Sequence, residues 1–565
     1  MGRLQGGVSC LTKVITQLFT PLESGLLLTL HSGRKVFLFG RLRCLIGDEA
    51  ALKAMWAVKG AAGTLPCLFC WNVVQARSDL HLSDPSGTLV PHTCFDIGQL
   101  QLRTDAELAA AALMLSSEKP LRTKKAFETL EQSLGINFNP DGMLFHPDCP
   151  LKPIEHTMFD WLHVYLVNGI FQCEINLLLP VLAANGRSHA ALCQFMKSFQ
   201  APQDQKSNLT GAIKTFEKSK TKDGWKPFAS EVLCTYPLLR LFVMDTAFVQ
   251  EGHILMASSF LLLCRILDLL SMIGKDVQVD AVTLEGLIQR HLTAFKNAHG
   301  EDELVPKFHY ALHLPPLLRQ HGLLISCWTH ERKHKSLKLF ANQVSNAGTW
   351  YEMSVLREVT HSAINCILDF KPSDIRLQKP KPSRKMKCAI LELDFLRCMD
   401  GAFVATVADI HGLTCHAGDV ALLRLDGSEC VGRVHLHADL SGGILWSVVS
   451  IWEAMGNNRF KITSHGRWVE TRHLVFGVSL SLNISRSWTI VFQFLYIYIW
   501  LNAIGVFLGQ HTIFEHPLYI DMKTESYSIF RYHYIFQIQF ILLRSILRTL
   551  YHHDESDGLH ATVAP

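Results

Sequence analysis

Cys67 and Cys70, separated by two residues in "GTLPCLFCWNVV", carry the most specific chemistry in this chain. Thiolates at CxxC spacing form one half of a tetrahedral zinc site, and zinc requires a second half. "PHTC" offers His92 and Cys94 for it, while His81, or His146 and Cys149 in "HPDC", are further candidates. A thioredoxin-like redox pair would open a helix directly after a strand, and this pair follows a loop. Two buried thiols without a metal form the competing reading. Ahead of the pair, Asp48 ends the apolar run "KVFLFGRLRCLIG" and begins "EAALKAMWAVKG", where it suits a helix N-cap. Farther on, "DWLHVYLVNGIF" sets His163 on an apolar helical face, a position that a satisfied core histidine also takes.

These residues need elements to position them. Leu11, Val14, Ile15 and Leu18 have helical spacing over 9–22. "LLLTLH" at 26–31 reads as a strand, and 35–47 as a buried strand or tight strand pair flanked by glycines. Residues 75–120 are loop-like and then weakly helical, and 156–185 form a long apolar helical region. Helix follows helix from 186 to 300, with 248–273 apolar nearly all round and therefore buried. "CWTHERKHKSLKLFANQVS" has the pattern of another helix.

The stretch 371–388 is rich in Pro and Lys and marks a linker. After it, 389–476 shows short strands separated by "LDGSE" and "LSGG", the pattern of a small β-barrel-like module. Trp446 and Trp452 in that module would either line a binding groove or sit in its core. From 477 the composition becomes aromatic and Ile-rich, and 488–509 is uncharged and long enough to cross a membrane. Translated non-coding sequence and a buried helix give the same bias.

Hydrophobic residues make up 48% of the 565 and charged residues 18%, which excludes a disordered chain and supplies cores for about three domains. A net charge of +4 does not mark a nucleic-acid protein, so any basic surface is local. The N-terminus has no apolar run ending at a small-residue cleavage site, and no signal peptide is predicted. The 16 cysteines are therefore expected as thiols or metal ligands in a reducing compartment. They run from Cys10 to Cys430 and then stop.

In order, Asp48, the CxxC, "DWLH", a helical block and "PKFHYALHLPPLLRQHGLLISCWTHERKHKSLK" resemble the catalytic region of eukaryotic cut-and-paste DDE transposases, nearest the CACTA-like and Kolobok-like groups. The resemblance covers about 9–345. It implies an α/β fold with a partial RNase H-like core and a large helical insertion, followed by the β module and the hydrophobic tail. The implied divisions are 1–165 for the partial core, 166–325 for the insertion and 326–370 for the last core helix region. Strand transfer in such enzymes uses two divalent ions, usually Mg²⁺, between carboxylates. By the resemblance, Asp48 is the second carboxylate and Glu331 the last, with Asp160 and His163 in support. Glu331 also reads as a solvated charge.

This chain departs from that pattern. Residues 1–47 contain no aspartate, and Glu23 is their only carboxylate. The strand bearing a first aspartate is then expected ahead of Met1, and the remaining pair is vestigial, with Mg²⁺ not bound. The function read from the sequence is a transposon-derived nuclear protein without DNA cleavage. Lys214, Lys218, Lys220, Lys222, Arg332, Lys333 and Lys335 are its candidate phosphate contacts, or solvated faces. An interaction protein working through its β module, with a partner the sequence does not name, and a tail-anchored membrane protein held by 488–509 are the alternatives.

Overall fold

In the computed structural model, the apolar run before Asp48 divides into two strands that pair with different partners. The structure describes most of residues 21–327 and 375–491. These fall in one unit, Met1–Cys327 with Ile375–Ile499. The predicted helix over 9–22 except its last two residues, the predicted helix around Glu331, and nearly all of the tail lie outside the described residues.

A short helix, α1 (Pro21–Ser24), precedes the antiparallel hairpin of β1 (Leu26–Thr29) and β2 (Lys35–Leu38). The third strand, β3 (Leu45–Gly47), does not join that hairpin. It pairs in parallel with β6 (Thr157–Phe159), so 35–47 is not a single strand and not a strand pair of its own. Between β3 and β6 run α2 (Glu49–Trp56), the parallel bridge of β4 (Val73–Val74) and β5 (Val90–Pro91), α3 (Asp105–Glu118) and α4 (Lys124–Leu134). Trp56 is fully buried, and its indole nitrogen donates to Thr157 Oγ1 at 2.8 Å, which fixes α2 against β6. Thr104 and Glu107 close a reciprocal capping box at the start of α3.

The predicted helical block is present. It comprises α5 (Trp161–Tyr165), α6 (Ile170–Ala184), α7 (His189–Lys197), α8 (Lys206–Lys218), α9 (Ala229–Met244), α10 (Glu251–Met272), α11 (Ala281–His299), α12 (Pro306–Ala311) and α13 (Leu314–His321). The stretch Trp161–Ala184 and α10 are each long and apolar enough to cross a membrane, with half of the apolar window buried inside the protein. Their buried faces pack against other helices: Phe171 on α6 meets Phe260 on α10 with ring centroids 5.9 Å apart. Glu174 on α6 meets His291 on α11 at 2.8 Å, and Tyr236 on α9 donates to Asp268 on α10 at 2.8 Å.

A short strand, β7 (Phe199–Gln200), leaves the block and pairs with the β module. In that module the linker is not a separate spacer, because β8 (Arg376–Leu377) and β9 (Lys381–Pro382) pair with its sheets. Next come β10 (Phe403–Ala405), β11 (Val407–Ile410), β12 (Leu413–His416), β13 (Val420–Leu425), β14 (Ser428–Asp439), β15 (Leu445–Ile451), β16 (Glu453–Gly456), β17 (Arg459–Lys461), β18 (Gly466–Glu470), β19 (Leu474–Leu482) and β20 (Ser487–Val491). The main sheet is branched and, among the described residues, closes into no barrel, which corrects the barrel-like expectation. Long strand β14 is the branch point: it holds β13 and β10 along one edge and β15 along the other. A register shift between Val434 and Leu436 turns its side chains toward two separate cores. Gly432 is required on this strand, since a Cβ there would lie 2.6 Å from Val449 Cγ1 and 2.7 Å from Ser450 O. The module also runs past its predicted end at 476, as β19 and β20 belong to it. The first residues of the predicted span 488–509 are therefore strand, and the remainder lies outside the described residues. Trp452 is buried, which favours its core reading, and Trp446 is half-buried.

His437 makes the module sensitive to acid. It is fully buried on β14, with Nδ1 2.8 Å from Ser447 Oγ and Nε2 3.1 Å from the Cys415 carbonyl. The carbonyl requires a proton on Nε2, so Nδ1 accepts from Ser447, which in turn accepts from Thr471. Burial disfavours a second ring proton and lowers the His437 pKa to about 4. The folded pKa is thus below the unfolded value. Stability is complete above the unfolded pKa and declines as pH falls toward 4, by roughly 3 kcal/mol in all. Denaturation followed by tryptophan fluorescence at several pH values is expected to show this decline, and His437→Gln to flatten it.

Candidate metal centre

The loop carrying the cysteines is built before any metal enters it. Tyr310 Oη donates to Pro66 O at 2.9 Å, which ties α12 to the residue preceding Cys67. Arg103 donates to the Phe69 and Cys70 carbonyls, at 2.7 Å from its main-chain nitrogen and 3.2 Å from Nε. Asn72 accepts from Gln101 N at 2.8 Å and donates to the carbonyls of Thr88 and Gln99. Rings cover the site: Phe69 meets Phe159 edge-on at 5.0 Å, and Phe159 stacks on Tyr310 at 4.9 Å.

Two histidines approach the thiols from 246 residues away along the chain. His313 Nε2 is 3.3 Å from Cys67 Sγ and 3.5 Å from Cys70 Sγ, and it is 3.1 Å from His309 Nε2. All four residues are buried, and their ligand atoms lie within 4.8 Å of one another. A tetrahedral ion with bonds of about 2.3 Å to sulfur and 2.05 Å to nitrogen has edges of about 3.5 Å between S and N and 3.4 Å between N and N. The observed separations match those edges to a few tenths of an ångström. Burial alone would raise the Cys67 thiol, but the Cys70 thiol and the His313 and His309 rings outweigh it and hold Cys67 well below its usual range. Cys70 is pushed up, chiefly by the hydrogen bond it gives Cys67 and by burial. Burial lowers His309 and favours its neutral, ligand-ready form. The group can hold a metal ion.

The second half of the site is therefore not the one expected. His92 is buried with both ring nitrogens engaged: Nδ1 accepts from Ala76 N at 3.0 Å, and Nε2 meets Leu304 O at 3.1 Å. Cys94 Sγ lies 3.8 Å from Gln99 Oε1. The structure joins neither of them to the thiols. His81, His146 and Cys149 do not belong to the group either. The signal for His309 and His313 was "HYALH", two histidines four apart, a spacing that one helical turn brings to one face.

The other expected site residues gather at the end of the parallel strand pair. Gly47 on β3 is level with Phe159 on β6, so Asp48 and Asp160 follow on neighbouring strands. Each caps the helix after it: Asp48 Oδ1 accepts from Ala51 N at 2.6 Å, and Asp160 Oδ1 accepts from Leu162 N at 3.0 Å. Asp160 Oδ2 meets His163 Nδ1 at 2.5 Å and accepts from Cys327 N at 3.2 Å. The Lys307 ammonium donates to the His163 and Val167 carbonyls at 2.9 and 2.8 Å. Burial lowers its pKa, against the pull of Glu49, Asp48 and Asp160.

Lys214 and Lys218 are exposed on α8. Glu331, Arg332, Lys333, Lys335, Lys220 and Lys222 lie outside the described residues. No family model matches the sequence, and a search of curated proteins finds no match.

Proposed function

We propose that the chain is a degenerate relative of the DDE transposases, with zinc as a structural ion in its Cys/His group and with its strand-end carboxylates turned to structural use. The observation that supports this is the state of Asp48 and Asp160. They stand side by side at the ends of parallel strands, where two-metal phosphoryl transfer would gather its ions, and both are already engaged. Bridging carboxylates must offer oxygen lone pairs to two divalent ions. Here Asp160 accepts from three donors, Asp48 holds the first turn of α2, and Lys307 places a cation beside them. The Cys/His group works on this reading as a clamp, joining the loop of Cys67 and Cys70 to α12 and α13, so that Lys307 on α12 is set against α5. Exposed Lys214 and Lys218 would contribute phosphate contacts without reading bases, which agrees with a nuclear, DNA-associated protein.

The test is a nicking assay with Mg²⁺ or Mn²⁺ on linear, hairpin and nicked DNA, together with binding measured across a salt series. The expected result is no cleavage, and weak binding that falls steeply as salt rises, because only phosphate contacts operate. Metal-dependent cleavage that disappears in Asp48→Ala would refute the proposal.

A further inference from the structure

The outer face of α10 is apolar, where a helix facing water is normally polar. One side of this helix buries Phe260, Leu263, Cys264 and Leu267 against its neighbours in the block. The opposite side carries Glu251, Ile254, Leu255, Ser258, Leu261, Leu262 and Arg265, whose spacing of three and four places them on one stripe. Ile254 and Leu255 are 46% and 43% exposed, Ser258 is exposed, and Leu261 and Leu262 are half-buried. Glu251 and Arg265 stand exposed at the two ends of the stripe. Among the described residues neither has an ion-pair partner.

The stripe is symmetric about Ser258. Leu255 and Leu261 stand three places to either side of it, Ile254 and Leu262 four places, and Glu251 and Arg265 seven places. We infer that this face docks on the same face of a second copy of the chain, α10 lying antiparallel on α10 with Ser258 at the twofold axis. An isologous interface requires a surface complementary to itself. Turned end for end about Ser258, this one sets Leu255 on the partner's Leu261, Ile254 on the partner's Leu262 and Glu251 on the partner's Arg265. The small Ser258 side chain lets the two helices approach where they cross. An unrelated partner would not require apolar positions to match, and charges to oppose, at equal distances from one residue. A helix lying on a membrane surface carries a basic polar face opposite its apolar one, whereas the buried core lies opposite this stripe. The stripe is about 22 Å long in each copy, which makes a small interface, so the dimer is expected to dissociate in the micromolar range. This inference goes beyond the proposed function and stands independently of it.

The test is sedimentation of the full chain across the micromolar range, with charge variants at the two ends of the stripe. Arg265→Glu sets like charges against each other twice in one twofold interface, and Glu251→Arg does the same with the opposite sign. Each is expected to weaken the dimer about tenfold or more. The double variant Glu251→Arg/Arg265→Glu restores both pairs with their signs exchanged and is expected to return the dimer to near its original strength, which a misfolded chain would not do. In a separate arm, Ser258→Cys oxidised with diamide is expected to give a covalent dimer that the unsubstituted chain, treated alike, does not. A chain that stays monomeric throughout the range overturns the inference. So does a dimer that Arg265→Glu leaves unchanged, or one that the double variant fails to restore. A monomer that pellets with phospholipid vesicles, and ceases to in Leu255→Glu, would assign the face to a membrane surface and overturn it as well.

Discussion

The purified chain is expected to hold zinc at the Cys67 group, and removing it is expected to be the most damaging single change. Structural zinc contributes an apparent binding energy of about 10 kcal/mol or more at neutral pH, all of it to the folded state when no site exists in the unfolded chain. The four ligands join two segments 246 residues apart, which among the described residues are also tied by the Tyr310 bond and the ring packing. Loss of even half that energy lowers the melting temperature by ten degrees or more for a domain of this size. Cys67→Ser and His313→Ala are expected to lose zinc by elemental analysis and to melt correspondingly lower. Cys94→Ser and His92→Gln are expected to keep the zinc, although His92→Gln disturbs two buried main-chain contacts. Full zinc in Cys67→Ser, or zinc lost in Cys94→Ser, would show that the ligand set is different.

The second large effect concerns Glu174 and His291. Both side chains are completely buried, and they meet at 2.8 Å across α6 and α11. Glu174 Oε1 and His291 Nδ1 have no partner among the described residues, so the pair is only half satisfied. Removing one member leaves the other polar, buried and alone, which costs about 3–5 kcal/mol. Glu174→Leu and His291→Leu are each expected to lose that much in denaturant unfolding followed by circular dichroism. The double variant is expected to recover most of the loss, because replacing both members of a buried pair with apolar groups is often close to neutral. A double variant as unstable as the sum of the two singles would mean that the pair itself, rather than the orphaned partner, holds the helices together.

Sequence alone located what depends on short-range order. Cys67 and Cys70 are presented together because only two residues separate them on one braced turn. Asp48 was legible as an N-cap because a cap needs only the next three residues, and Ala51 N supplies the bond. The helical block from 186 to 300 was visible as apolar residues recurring at helical intervals, and the module's strands as alternation broken by "LDGSE" and "LSGG".

Tertiary structure decided everything that joins distant segments. His92 and Cys94 follow soon after the thiols in the chain, yet the intervening turn spends both His92 nitrogens on main chain and points Cys94 at Gln99. His309 and His313 complete the group because the His313 ring packs on Phe69 and Phe159 and Tyr310 of α12 stacks on Phe159, contacts with no local sequence trace. The parallel pairing that sets Asp160 beside Asp48, and brings Cys327 back to Asp160 across 167 residues, is of the same kind. Caps and periodicity are satisfied within one or two turns of chain and leave a local signature. A pairing across a hundred residues or more is chosen by which apolar faces bury each other, and many segments of similar hydrophobicity compete for each face. Only the folded chain selects among them.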